Sequence, residues 1–348
     1  MTHPSPQTVD PAKRRQVRQR RIRAALLAAL GVLAAVAAIV GSRGGGKHEQ
    51  ERPRPQPPRA TVHPVRLSSR TVGSLSAPVQ NAAVTRLGLA RTVLLGGLTP
   101  ADSSRADVVI LRGSHETLHT FLPVALHDAA AATIGRSVYL FGGANTVPTD
   151  RIMRVSIHGG GATQVGRLPK PLSDIAATTV GNTVFIVGGY DGVKTSNRIL
   201  AWSRRGTAHT VAKLPHPLRY AAVTALGPVV YVAGGTTGDA ATRGLFAFDT
   251  RTRTVRKVSR LPRGTTHAAA AAFGCCVYVI GGRGTKPDTP SRRIFAFDPV
   301  RRHLEPAGHL PVPLSDLAAV TQRRRILAVG GRGANGTVAN VVELRPRT

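Results

Sequence analysis

The 348 residues carry 48 Lys and Arg against 17 Asp and Glu, a formal net charge of +31, with 37 Gly, 25 Pro and two cysteines. Two neighbouring cysteines cannot staple distant parts of a fold. The eight Phe, five Tyr and one Trp do not interleave with the arginines as a stacking platform for nucleic acid requires. Glycine and proline are spread along the chain with short Val, Ile, Leu and Thr runs between them, the punctuation of many short strands.

The chain opens differently. Lys13, Arg14, Arg15, Arg18, Arg20, Arg21 and Arg23 precede Ala24 to Val40, an uncharged apolar run of seventeen residues. That is close to the lower limit for a bilayer-spanning helix, roughly 17 to 25 residues. A basic flank stays on the cytoplasmic side. The expectation is therefore a cytoplasmic tail at 1–23, a single-pass signal anchor at 24–40 in the cell membrane, and everything after it outside. A cleaved signal peptide is the alternative, because Ala35 to Ala38 offer small residues to a peptidase. Residues 41–60, GSRGGGKHEQERPRPQPPRA, are too poor in apolar side chains to build a core and read as a disordered Gly/Pro-rich linker.

From residue 61 a repeat takes over. Apolar runs end in glycine pairs at 96–97, 142–143, 188–189, 234–235, 281–282 and 330–331, spaced 46, 46, 46, 47 and 49 residues apart. Leu122-Pro123, Leu168-Pro169, Leu214-Pro215, Leu261-Pro262 and Leu310-Pro311 recur in phase about twenty residues before a pair, and Leu75 holds the first unit's place. A period of 40 to 50 with one glycine signature per unit indicates a β-propeller. Alanine-rich segments after each Leu-Pro suit inner strands that crowd at the hub. The second unit divides into strand A at 129–134, B at 138–142, C at 152–157 and D near 163–165. The sixth has A at 316–320, B at 326–330 and C at 338–344 but no D, and the segment 65–72 is expected to supply it and close the ring.

On these residues the segment 61–348 resembles the Kelch-repeat family. The resemblance implies an all-β, six-bladed propeller, here preceded by one N-terminal transmembrane helix and the linker. The family's usual tryptophan after the strand C turn is missing: Thr254-Val255 and His303-Leu304 stand there, and Trp202 lies in strand C. A galactose oxidase-like relative needs copper held by tyrosines, histidines and a Cys–Tyr crosslink. Cys275 and Cys276, both in the blade 5 A-to-B turn, do not supply it. Relatives that interconvert sugar anomers need only a placed acid and base, and Asp174 with His267 are the candidates.

Repeat phase places Asn81, Asp128, Asp174, Tyr220, His267 and Asp316 at the start of the six inner strands. They form a ring at the mouth carrying the D-to-A and B-to-C loops, called the top. The ring suits a hydroxyl-rich or cationic ligand, or calcium or another hard cation. Equally, Asp and Asn there can bond to neighbouring backbone N–H groups. The adjacent cysteines can form a vicinal disulfide or remain thiols. No zinc-ligand spacing and no phosphate loop occurs, so no cofactor is assigned.

After Ala60 there remain 36 basic and 14 acidic residues, so the domain itself carries +22. Arg204, Arg205, Arg251, Arg253, Arg301, Arg302, Arg323, Arg324 and Arg325 fall in C-to-D or A-to-B turns and converge on the opposite, bottom face. They are candidates for contact with anionic headgroups or wall polymer. The linker should leave from the same face, turning the arginines toward the bilayer. The function expected is binding outside the cytoplasm, as a scaffold for a glycan, wall polymer or protein, with a sugar-modifying enzyme as alternative and no nucleic acid partner.

Overall fold

The computed structural model describes residues 64–238 and 240–347. The expected tail, anchor and linker at 1–60 lie outside them. Among the described residues no helix is long and apolar enough to cross a membrane. The described chain is strands and turns, arranged as six four-stranded blades.

Strand A of blades 1 to 6 runs Ala83–Leu87, Ala130–Ile134, Ala176–Val180, Ala222–Leu226, Ala269–Phe273 and Ala318–Gln322. All six begin with alanine, the side chain that lets neighbouring inner strands approach at the hub. In blade 2 strands B, C and D follow at Ser137–Phe141, Arg151–Val155 and Ala162–Arg167. In blade 6 strand A begins two residues later than the sequence suggests. Asp316 has φ of 56°, a left-handed conformation that no strand residue adopts, so extension starts only beyond it.

Ring closure is observed. Leu67–Ser74 is the outer strand of blade 6, antiparallel to Asn340–Pro346, with Leu67 opposite Pro346 and Ser74 opposite Asn340. Glu343, buried on that strand, ties the closure by hydrogen bonds from Arg70 at 3.1 Å, Arg345 at 2.9 Å and Arg325.

The glycine pairs have a steric cause. Both members adopt positive φ in every blade, as in Gly281 at 65° and Gly282 at 87°. A Cβ on Gly282 would lie 2.7 Å from the Ala268 Cβ and 2.9 Å from the Thr266 carbonyl oxygen. The Gly282 N–H also donates to the Leu314 carbonyl at 2.9 Å, joining blade 5 to the connection into blade 6. Buried leucines of the Leu-Pro motifs, Leu168, Leu214, Leu261 and Leu310 among them, fill the space between blades. Trp202, fully buried, packs edge-on against Tyr139 at 4.9 Å and Phe141 at 5.4 Å. The family's usual tryptophan is thus displaced inward, into the seam between blades 2 and 3. There the outer strands Ala162–Arg167 and Arg205–Lys213 also pair in parallel and fuse the two blades into one sheet.

Candidate functional site

The six ring residues come together. Each is left-handed, with φ of 53° at Asn81, 52° at Asp128, 56° at Asp174, 53° at Tyr220, 55° at His267 and 56° at Asp316. In that conformation each N–H donates to the carbonyl of the preceding ring member, and Asn81 donates to Asp316. The circle therefore closes through six hydrogen bonds of 2.9 to 3.4 Å. Asn, Asp and His tolerate the left-handed region better than other side chains. The backbone thus accounts for five of the six identities, and Tyr220 is the exception. The bonds around the circle run from main chain to main chain between neighbouring blades, and the ring carboxylates accept instead from the side chains of Tyr220, Arg219 and Ser315.

The side chains fill the mouth. The Tyr220 hydroxyl donates to Asp128 across the ring at 3.4 Å, and its phenol stacks on His267 with ring centroids 3.8 Å apart. Two arginines outside the ring reach in. Arg219 contacts Asp174 at 3.3 Å, and Arg283 lies 3.8 Å from Asp316 and 3.1 Å from His267 Nε2. The Arg219 guanidinium also sits over the Tyr190 ring at 5.0 Å. Ser315 donates to Asp316 at 2.5 Å.

Burial governs the ionisation. It lifts the Asp174 carboxyl, with Arg219 opposing, and the Asp316 carboxyl, with Ser315 and Arg283 opposing. Asp128 is raised furthest above the ordinary range, first by burial and then by the charges of Asp174 and Asp316. It is also the one carboxyl of the three without an arginine at ion-pair distance; its closest cation-capable neighbour is His127 at 3.8 Å. Burial, reinforced by Arg283 and Arg219, holds His267 down to about 2, so its imidazole is neutral. Burial also raises the Tyr220 phenol. Asp174 and Asp316 thus each lie near a guanidinium, Arg219 and Arg283 respectively, whereas Asp128 forms no such pair.

None of the six ring residues lines the channel cavity. That space, about 310 Å³, lies below the ring between the second and fourth residues of the inner strands, among Ala132, Thr133, Thr178, Thr179 and Thr321, with Arg86 as its charged side chain. Among the described residues no group of three or more His, Cys, Asp or Glu is arranged to hold a metal ion. Cys275 and Cys276 form the vicinal disulfide, in the blade 5 A-to-B turn away from the ring.

On the bottom face Arg204, Arg205, Arg251, Arg253, Arg301, Arg302, Arg323 and Arg324 are exposed. Arg301 is paired with Asp298 at 3.9 Å. Arg325 departs from the group: it turns inward, half-buried, to Glu343 and Gln322. Arg204, Arg253, Arg302 and Arg323 have φ of 60°, 58°, 54° and 40°. In the A-to-B turns the left-handed place of Arg323 is held by Gly88, Gly135, Gly181, Gly227 and Gly274 in the other blades.

Sequence reasoning missed Arg219 and Arg283. Both lie on a second tier where the residue after each glycine pair bridges the residue before each ring member, as in Ser173–Tyr190, Arg219–Thr236, Thr266–Arg283 and Ser315–Arg332. The available signals were the position after the double glycine for Arg283 and the position before the ring residue Tyr220 for Arg219.

A family model described as the KLHDC2/KLHL20/DRC7 Kelch-repeats domain matches residues 128–331, more than half of the chain. No curated protein matches. Among solved structures, one described as "Structure of YjhT" is similar at 14% identity with a TM-score of 0.68, covering 78% of this chain and 96% of that one. At that identity the likeness speaks for the fold alone. Kelch propellers generally serve as protein-binding scaffolds. Repeat spacing, blade architecture and family match agree, and the chain belongs to the Kelch-repeat family.

Proposed function

We propose that this chain is an extracytoplasmic binding propeller, tethered through residues 24–40, that docks its bottom face on anionic headgroups or wall polymer and offers its other surfaces to a protein or glycan ligand. One observation carries the reading: Arg204, Arg253, Arg302 and Arg323 occupy left-handed turn positions. A non-glycine residue there costs roughly 1 to 2 kcal/mol. Cations are held on one face against that cost. The closed mouth supports binding over catalysis, since its acids and bases are buried against one another and none of the six ring residues lines the channel cavity.

The test is sedimentation of the 61–348 unit with vesicles of phosphatidylglycerol or phosphatidylcholine at low and high salt. Binding to the anionic vesicles alone, weakening steeply with salt and lost in an Arg204→Ser, Arg253→Ser, Arg302→Ser, Arg323→Ser variant, is the expected result. Equal binding to both vesicle types would end the proposal.

A further inference from the structure

Shallow clefts recur with the blades, each between the loop after strand B and the connection from the preceding blade. In blade 2 this hollow is about 260 Å³ and mainly apolar, walled by Val124, Val147 and Met153. In blade 5 it grows to about 650 Å³, and its rim carries Arg263, Lys286, Arg292 and Arg293. Phe295 forms part of the wall and holds the repeat position of Met153: Phe295 lies opposite Val279 as Met153 lies opposite Leu140. The same place in the fold has therefore changed from an apolar hollow to a cationic cleft with an aromatic wall.

The cations are available. Among the described residues none of Arg263, Lys286, Arg292 and Arg293 is in an ion pair. Arg292 spends its Nε–H on the Leu310 carbonyl at 2.9 Å, which fixes the side chain and leaves its terminal N–H groups. Asp288 belongs to the same loop but does not line the cleft. The loop is held in shape by its own threonines. Thr289 receives the Gly284 N–H at 3.1 Å and donates to the Lys286 carbonyl at 2.7 Å, and Thr285 receives the Ala241 N–H at 3.2 Å. The volume lies within the range of small-molecule sites, roughly 300 to 1,000 Å³.

Guanidinium forks take carboxylate or phosphate edges in pairs, and an aromatic wall takes a flat apolar face. A uronic acid presents both, a carboxylate on one edge and C–H groups on a face, whereas a bare polyphosphate presents only charge. We propose that the blade 5 cleft binds an acidic polysaccharide through the carboxylates of its uronic-acid units. This rests on the reading of the chain as a binding propeller and names the ligand class and the place.

The experiment measures binding of the full chain in detergent to polygalacturonate, to the same polymer methyl-esterified, and to polyphosphate. Polygalacturonate should bind. Esterification, and the variant Arg263→Ala, Lys286→Ala, Arg293→Ala, should each weaken binding by about tenfold or more. Phe295→Ala should weaken polygalacturonate and leave polyphosphate unchanged. Lys286→Glu, a single change on an exposed loop, repeats the charge test with little risk to folding, and thermal melts confirm that each variant is folded. Equal binding of the esterified polymer overturns the proposal. So does binding that survives the cleft variants and is lost with the bottom-face arginines, or a loss shared equally by polyphosphate in Phe295→Ala. If no polymer binds, the cleft assignment fails. The vesicle experiment, which does not use the cleft, still judges the scaffold reading separately.

Discussion

Asp128→Asn should stabilise the propeller, and increasingly so as pH rises. The native carboxyl is buried, faces the charges of Asp174 and Asp316, and lacks an arginine partner, so its folded pKa stands well above the unfolded 3.8. Between those two values the folded state holds a proton that the unfolded state has released, so stability falls as pH rises through the interval. The slope reaches about 1.4 kcal/mol per pH unit for one group. Asparagine keeps an oxygen to accept from Tyr220 and carries no proton to lose. It also fits the backbone, since Asn81 occupies the equivalent place in blade 1 at φ of 53° against 52° for Asp128. Denaturant unfolding of the wild type and variant from pH 4 to 8 checks this. The two should be close at pH 4, diverge in favour of the variant by up to about 1.4 kcal/mol per unit, and run parallel above the folded pKa. Parallel curves throughout, or a less stable variant at pH 8, would refute the electrostatic account of the mouth.

Glu343→Gln tests the closure from the opposite sign. Burial pushes the Glu343 carboxyl up, but hydrogen bonds from Arg325, Arg345 and Arg70 outweigh it and hold the pKa below 4.5. The contribution is present above the unfolded pKa and fades as pH falls through the folded one, so the variant should lose about 1 to 3 kcal/mol at pH 7 and less at pH 3, by the same unfolding measurement. Gly282→Ala must place a Cβ 2.7 Å from the Ala268 Cβ at φ of 87°. A loss of about 1 to 3 kcal/mol is expected, read as a lower denaturant midpoint with an unchanged m-value. Trp202→Ala empties the seam between blades 2 and 3 and should cost about 3 to 5 kcal/mol. A loss below about 1 kcal/mol would show that the seam collapses to fill the space.

Much of the fold was legible because its determinants are local and repeated. The double glycines mark positions where backbone conformation and a neighbouring blade together forbid a side chain, so their spacing reports the blade period directly. Closure was legible as a deficit, since the sixth unit has three strands and the segment before the first unit is one too many. The ring could be placed by phase, but its chemistry could not be read. Whether Asp128, Asp174 and Asp316 face solvent or one another depends on how far Arg219, Tyr220 and Arg283 reach across the mouth. That is a property of side-chain length and blade tilt, not of spacing. Arg325 stands in an arginine run whose other members face outward, and only the paired strand carrying Glu343 reveals that it turns in. The blade 5 cleft escaped notice because Arg263 comes from one blade and Arg292, Arg293 and Phe295 from the next.

The join in blade 6 also constrains the order of assembly. Ser68 and the carbonyl it contacts on Arg345 are 277 residues apart. During synthesis the strand Leu67–Ser74 is made before any complete blade, yet its partner Asn340–Pro346 follows all the other strands of the propeller. Until then it is an unpaired edge of eight residues. Five blades can form from neighbouring segments as they emerge, whereas the sixth must wait for both ends. A chain lacking Asn340–Pro346 therefore loses more than one strand: it exposes two edges, the uncovered side of Arg325–Val329 and all of Leu67–Ser74, each open to pairing with another copy.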